Sequence, residues 1–321
     1  MRLPILAAIG VLAAACGGDK GEVVDTGPDG PTTDPRCANA VLDQYPVGGE
    51  SDVFVRSSVD VTLSQPDTSA TIVVTDASGA EVPGTVSLLD DDKRVEWLPV
   101  DALDAGADYT ATLNWACEAV VVDFGTGSVG SAAVADPSGL VDRGYTLDLK
   151  DGRFVAPDGI GAPLQSLLEV RLLLGVTAVD ATTLSLRAGA EDAKAGAQDL
   201  AASTTDLNPA TFADPYFEVS QELLPLVIEG DPIDVTDLTI SGSFASDGSS
   251  IDGFRLSGVI DTRDLTEAVG VEGPDGVCNL FSASFNVQCQ DCPNGEGTYC
   301  INLVVADLPL PETGYPVVEV N

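Results

Sequence analysis

The chain contains no histidine. That absence removes the Ser-His-Asp triad, imidazole-ligated metals and imidazole acid–base chemistry together. Basic residues are also scarce: 14 Lys and Arg stand against 51 Asp and Glu, a net charge of −37. Nucleic acid and anionic lipid headgroups are therefore excluded as electrostatic partners, because both are held by lysine and arginine. A divalent cation or a cationic partner stays compatible, although an acidic surface also serves simply to keep molecules soluble and apart. Aromatic residues make up 5% of the chain, which disfavours the stacked platforms of a glycan cleft. No segment approaches the ~20 apolar residues of a membrane-spanning helix. The closest, Leu167-Leu168-Glu169-Val170-Arg171-Leu172-Leu173-Leu174, is short and carries two charges. Carboxylates, Ser–Lys pairs and cysteine are the catalytic chemistries left, and lysine is rare. No enzyme, cofactor or metal site is expected.

The chain opens on Met1-Arg2-Leu3-Pro4-Ile5-Leu6, an apolar run continuing through Ala13-Ala14-Ala15 to Cys16-Gly17-Gly18-Asp19. One positive charge, an apolar stretch too short to cross a bilayer and small residues before a cut site make an export signal. A cysteine directly after those small residues resembles the lipobox of bacterial lipoproteins. The resemblance implies a diacylglycerol on the Cys16 thiol and attachment to the membrane through that lipid. It places the chain in the cell envelope, at the outer membrane. Gly17 takes the position where an aspartate would retain some lipoproteins at the inner membrane.

Residues 16–36 are rich in Gly, Pro and Asp and lack periodicity, which predicts a lipidated, disordered tether. From 37 to 124, short β signals recur at regular spacing. Val59-Asp60-Val61-Thr62-Leu63 alternates, and Thr71-Ile72-Val73-Val74-Thr75 is β-branched. Arg94-Val95-Glu96-Trp97-Leu98-Pro99 and Ala107 to Trp115 follow, with a charged turn at Asp90-Asp91-Asp92-Lys93. About seven strands in such a length is the density of an immunoglobulin-like sandwich. The stretch Val95-Glu96-Trp97-Leu98-Pro99 through Gly106-Ala107-Asp108-Tyr109 resembles the bacterial Ig-like domain of surface-layer proteins. In that family a proline-ended strand leads through a glycine turn to a tyrosine opening the next strand. The resemblance implies an Ig-like fold in a spacer or adhesion setting, and no catalytic residue.

Residues 125–139 read as a small-residue linker, and 140–321 as a second β-rich region. Leu238 to Phe244 and Phe254 to Ile260, joined across Ser246-Asp247-Gly248-Ser249-Ser250, predict a long hairpin. Val170 to Thr177 and Thr182 to Ala188 read as strands, Pro163 to Leu174 is equally compatible with a helix, and Ala188 to Ala202 with a loop or a weak helix. Gly125-Thr126-Gly127-Ser128-Val129-Gly130 matches the dinucleotide pattern, but no helix is expected after it to hold a pyrophosphate. Glycine there suits flexibility between domains instead.

Seven cysteines remain to be placed. With Cys16 reserved for lipid, Cys37 and Cys117 are expected to pair within the first domain. Cys278, Cys289, Cys292 and Cys300 are expected to form two disulfides in an exported chain, with three pairings open. A tetrathiolate metal site and a redox-active CxxC are the competing readings. Acidic groups such as Asp90-Asp91-Asp92 and Glu191-Asp192 read as turn solvation rather than calcium or glycosidase chemistry.

The sequence thus predicts an all-β lipoprotein: leader 1–15, tether 16–36, Ig-like sandwich 37–124, linker 125–139 and a disulfide-stapled β domain 140–321. A structural, adhesive or spacer role with a protein partner is expected. The alternative is a binder of a small apolar or lipidic ligand in a cavity lined by Leu167, Leu172, Leu224 and Leu226. A carboxylate hydrolase would require two converging acids, one with a raised pKa.

Overall fold

Eight short strands come first, of which β4 and β7 bury alternate side chains with the period of two expected of a half-covered sheet. They are β1 (Val41–Tyr45), β2 (Glu50–Val53), β3 (Val59–Leu63), β4 (Thr71–Asp76), β5 (Gly84–Leu89), β6 (Arg94–Pro99), β7 (Asp108–Asn114) and β8 (Ala119–Thr126). In the computed structural model, which describes residues 35–116, 119–157, 171–192, 196–228, 231–285 and 287–320, these strands make two sheets. One runs β1-β3-β6-β5 and the other β2-β8-β7-β4. All pairs are antiparallel except β2 with β8, which are parallel. Val61, Leu63, Ile72, Val74, Trp97 and Leu113 fill the space between the sheets. Tyr109, at the start of β7, stacks on Phe124 and accepts the Asp104 N–H on its Oη at 2.8 Å. This is the tyrosine corner of Ig-like sandwiches. The fold of this region is an Ig-like β-sandwich.

The second region forms an 11-stranded sheet. Its strands are β9 (Gly144–Asp148), β10 (Arg153–Ala156), β11 (Arg171–Val179), β12 (Thr183–Asp192), β13 (Ala197–Gln198), β14 (Thr205–Asp206), β15 (Ala210–Ala213), β16 (Tyr216–Ile228), β17 (Asp231–Phe244), β18 (Ser250–Asp261) and β19 (Cys300–Pro311). The order is β10-β19-β18-β17-β16-β15-β12-β11-β9, with β13 and β14 attached to β12. The sheet curls: Tyr145 of the edge strand β9 meets Glu312, just beyond β19. The enclosed core contains Phe217, Phe244, Phe254 and Leu308, and Tyr145 Oη donates to Gly248 O at 2.9 Å. Two helices, α1 (Thr266–Val269) and α2 (Gly276–Phe285), sit between β18 and β19. Val277 and Phe281 of α2, four residues apart on one face, join the same core.

Several expectations need correction. Of the two readings open for residues 171–174, the strand holds and the helix falls, because they pair with β9 and β12 in unbroken register. Ala188 to Asp192 continues β12, and Ala197–Gln198 is β13, so among the described residues no helix forms there. Gly125 and Thr126 belong to β8, so the strand extends into the expected linker. Gly130 does not serve flexibility: a Cβ there would lie 2.5 Å from the Phe54 ring. Leader 1–15, Cys16, most of the tether, Cys117 and Leu167 lie outside the described residues.

Candidate functional site

The alternation of Val59-Asp60-Val61 and of Arg94-Val95-Glu96-Trp97 puts Asp60, Arg94 and Glu96 on the outer face of one sandwich sheet. In an isolated sandwich that face meets water. Here it is covered, and every residue of β3 is buried. The cover comes from β10, β18 and β19 of the long sheet, and the seam between the two is the most charged buried place described in the protein.

Asp60, 0% exposed, sits between two arginines and forms ion pairs with both Arg94 and Arg153. Arg153 reaches across from β10. Its Nε donates to Asp307 Oδ2 at 2.9 Å, its Nη2 to Ser58 Oγ at 3.1 Å, and its guanidinium lies 3.8 Å over the Tyr45 ring. Ser57 Oγ donates to the other Asp307 oxygen. Asp307 reaches the seam because β19 is irregular there: its φ is +56, and the pairing with β18 shifts register between Val305 and Leu308. A bulge re-aims a side chain in just this way, and aspartate tolerates the left-handed conformation better than most residues.

A second contact lies further along. Arg255 of β18 donates from Nη2 to Glu96 Oε2 at 3.0 Å. Its Nη1 lies 2.8 Å from Oε1, close enough for an ion pair but not aimed for a hydrogen bond. The Arg56 guanidinium stacks 4.0 Å over Tyr216. Apolar contacts complete the seam: Leu89 packs on Val155, Ala156, Val304 and Ala306. Phe54 fits where Gly130 and Gly253 leave room, for a Cβ on Gly253 would fall 2.1 Å from its ring.

Burial works against the charge on Arg153, but Asp60 and Asp307 outweigh it and its pKa is raised. Burial and the Asp307 carboxylate push the Tyr45 phenol up to about 12. Burial and the hydrogen bond to Glu218 do the same to Tyr216, also to about 12. The arrangement holds fixed charges in fixed pairs, which is the chemistry of a clamp. Elsewhere between the sandwich and the long sheet lies a cleft of about 300 Å³, lined by Leu42, Asp91, Lys93, Phe285, Gln288 and Asn302 among others.

The four C-terminal cysteines form Cys278–Cys289 and Cys292–Cys300, with Cα–Cα separations of 5.7 and 5.0 Å. Both the metal and the redox CxxC readings fall, since every sulfur is consumed and Cys289 and Cys292 take different partners. Thr262 Oγ1 lies 3.1 Å from Cys278 Sγ and donates to Tyr299 O, tying α2 to the root of β19. Cys37 is disulfide-bonded. Leu224 belongs to the packed core of the long sheet and Leu172 packs against it. Carboxyl groups with raised pKa are Glu191 and Asp264, each pushed up mainly by burial. They lie on β12 and just after β18, away from the seam.

No protein-family model matches the chain, and no curated protein matches it. Solved structures with partial similarity include L,D-transpeptidase 3 from Mycobacterium tuberculosis, 26% identical over 27% of this chain and 37% of that one, TM-score 0.21. An L,D-transpeptidase from Mycobacterium smegmatis is 16% identical over 63% of this chain and 75% of that one, TM-score 0.23. The N-terminal part of the bacterial S-layer protein SbsC is 11% identical over 46% and 40%, TM-score 0.22. The Ig-like description rests instead on the strand order, the parallel β2–β8 pair and the tyrosine corner.

Proposed function

We propose that this chain is a non-catalytic lipoprotein of the cell envelope, anchored at the outer membrane through Cys16. Its sandwich and long sheet act as one rigid spacer that offers its surface to a protein partner. The observation that carries this reading is the buried Asp60–Arg94–Arg153–Asp307 clamp. A mobile linker would let the two regions move independently, whereas a desolvated ion network with two arginines on one carboxylate tolerates little displacement. The four C-terminal cysteines, paired as disulfides, fit an oxidising, exported setting. The apolar-ligand reading has no comparable support, since Leu224 and Leu172 pack into or against the core rather than line a free space.

The anchor is tested by intact mass and palmitate labelling of the native protein. The expected result is an acyl mass on Cys16 and release of Cys16→Ser into the soluble fraction. An unmodified N-terminus at that cysteine contradicts the proposal.

A further inference from the structure

The last residues of the chain form no strand, yet they are held. Beyond β19 the chain turns at Gly314, with φ +76 and open space around it. Residues 315–320 then cross β9, β11 and β12 on the face opposite to the core. Glycines make room for them: Gly144 and Gly175 are paired across β9 and β11, and Gly189 lies on the same face of β12. A Cβ on Gly175 would lie 2.6 Å from Val317 Cβ, and one on Gly144 2.5 Å from Tyr315 O. Val317 is 5% exposed in this notch.

The hydrogen bonds are those of a bound peptide. The Gln198 side-chain amide donates to Val318 O at 2.7 Å and accepts from Val318 N–H at 2.8 Å. Thr204 donates its N–H to Val320 O at 2.9 Å and accepts the Val320 N–H on Oγ1 at 3.0 Å. Arg187 lies 3.5 Å from Glu319. Beneath the tail, Glu191 is 6% exposed with Oε2 unpaired, and the buried Tyr315 Oη is also without a hydrogen bond. The chain's own tail therefore fills the groove without satisfying all of it.

We propose that this groove is a peptide-recognition site and that the tail of a second copy exchanges into it, linking neighbouring molecules. None of the docking contacts depends on the tail belonging to the same chain. Only one turn, at Gly314, joins it to β19. Any second copy carries the complementary segment by identity, which makes such exchange an inexpensive route to association. The tail in cis holds an advantage of roughly millimolar effective concentration, so exchange grows as molecules are crowded. The net charge of −37 opposes the encounter, and salt screens it.

Two differently tagged full-length variants, Gln198→Cys and Val318→Cys, are mixed and treated with a short thiol-to-thiol crosslinker. The double variant on one chain is the geometric control, and the wild-type chain corrects for any dimer through Cys16. The expected result is a mixed-tag dimer whose yield rises about in proportion to protein concentration and rises again with salt. The double variant is expected to close within one chain when dilute. Intramolecular closure with no mixed dimer at any concentration overturns the exchange. Failure of the double variant to crosslink at all overturns the docked tail itself.

Discussion

The sandwich and the long sheet are both antiparallel β structures, but they are held differently. The sandwich relies on a small core and a tyrosine corner, and one of its outer faces carries charges that are covered and met by partners from the long sheet. The long sheet relies on extended register, a larger core, two disulfides and a tail strapped across its back. Scarce cations mark the border between them: Arg56, Arg94, Arg153 and Arg255 all lie at the seam, in a chain with only 14 Lys and Arg. The difference teaches that the sandwich is not a free module. Its charged face is an interface.

The largest predicted effect breaks that interface. Asp60→Ala removes the buried carboxylate that Arg94 and Arg153 share, and chemical denaturation is expected to show a loss of about 3–5 kcal/mol. A loss under 1 kcal/mol would mean that the clamp is not buried in solution. Next, Cys292→Ser with Cys300→Ser opens an eight-residue separation, worth about 2.5 kcal/mol in the chain-entropy view. If the two regions unfold together, the midpoint seen by tryptophan in the sandwich falls as well. Tyr109→Phe removes the corner hydrogen bond and should cost about 1 kcal/mol, an effect confined to sandwich packing that leaves both C-terminal disulfides formed by thiol assay.

The gentlest effect is acidification. The hydrogen bond from Thr183 holds the Asp180 carboxyl below its ordinary value of 3.8, and that from Ser78 does so for Asp76. At Asp261 burial acts against the charge, but Arg263 outweighs it and the pKa is again lowered. A lowered folded pKa contributes stability above the unfolded value and loses it as pH falls through the folded one. The contribution of these aspartates is therefore expected to be flat above about pH 4 and to decline below it. A decline already present at pH 5–6 would point to groups other than these aspartates.

Much of the sandwich was legible. Alternation located β3, β-branching located β4 and regularly spaced β signals located β6 and β7, and the tyrosine expected to open a strand after the glycine turn does so at Tyr109. Alternation could not show that Asp60, Arg94 and Glu96 are buried, because a period of two states which residues share a face but not what covers that face. The long hairpin of β17 and β18 was legible from its turn. β16 and β19 were not, since Tyr216–Ile228 and Cys300–Pro311 contain prolines and acids that mask the pattern, while their pairing is set by partners far along the chain. Two disulfides among the four C-terminal cysteines were expected; which cysteine meets which depends on where α2 docks. Asp307 had no signal at all, because its place depends on a bulge.

Both tryptophans of the chain, Trp97 and Trp115, are buried in the sandwich, whereas most strand residues lie in the long sheet. Denaturation followed by tryptophan fluorescence and by far-ultraviolet circular dichroism therefore reads the two regions separately. One rigid body predicts coincident transitions in the native protein, separating when Asp60 or Arg153 is replaced by alanine. Two distinct midpoints in the unmodified protein would contradict the rigid joint.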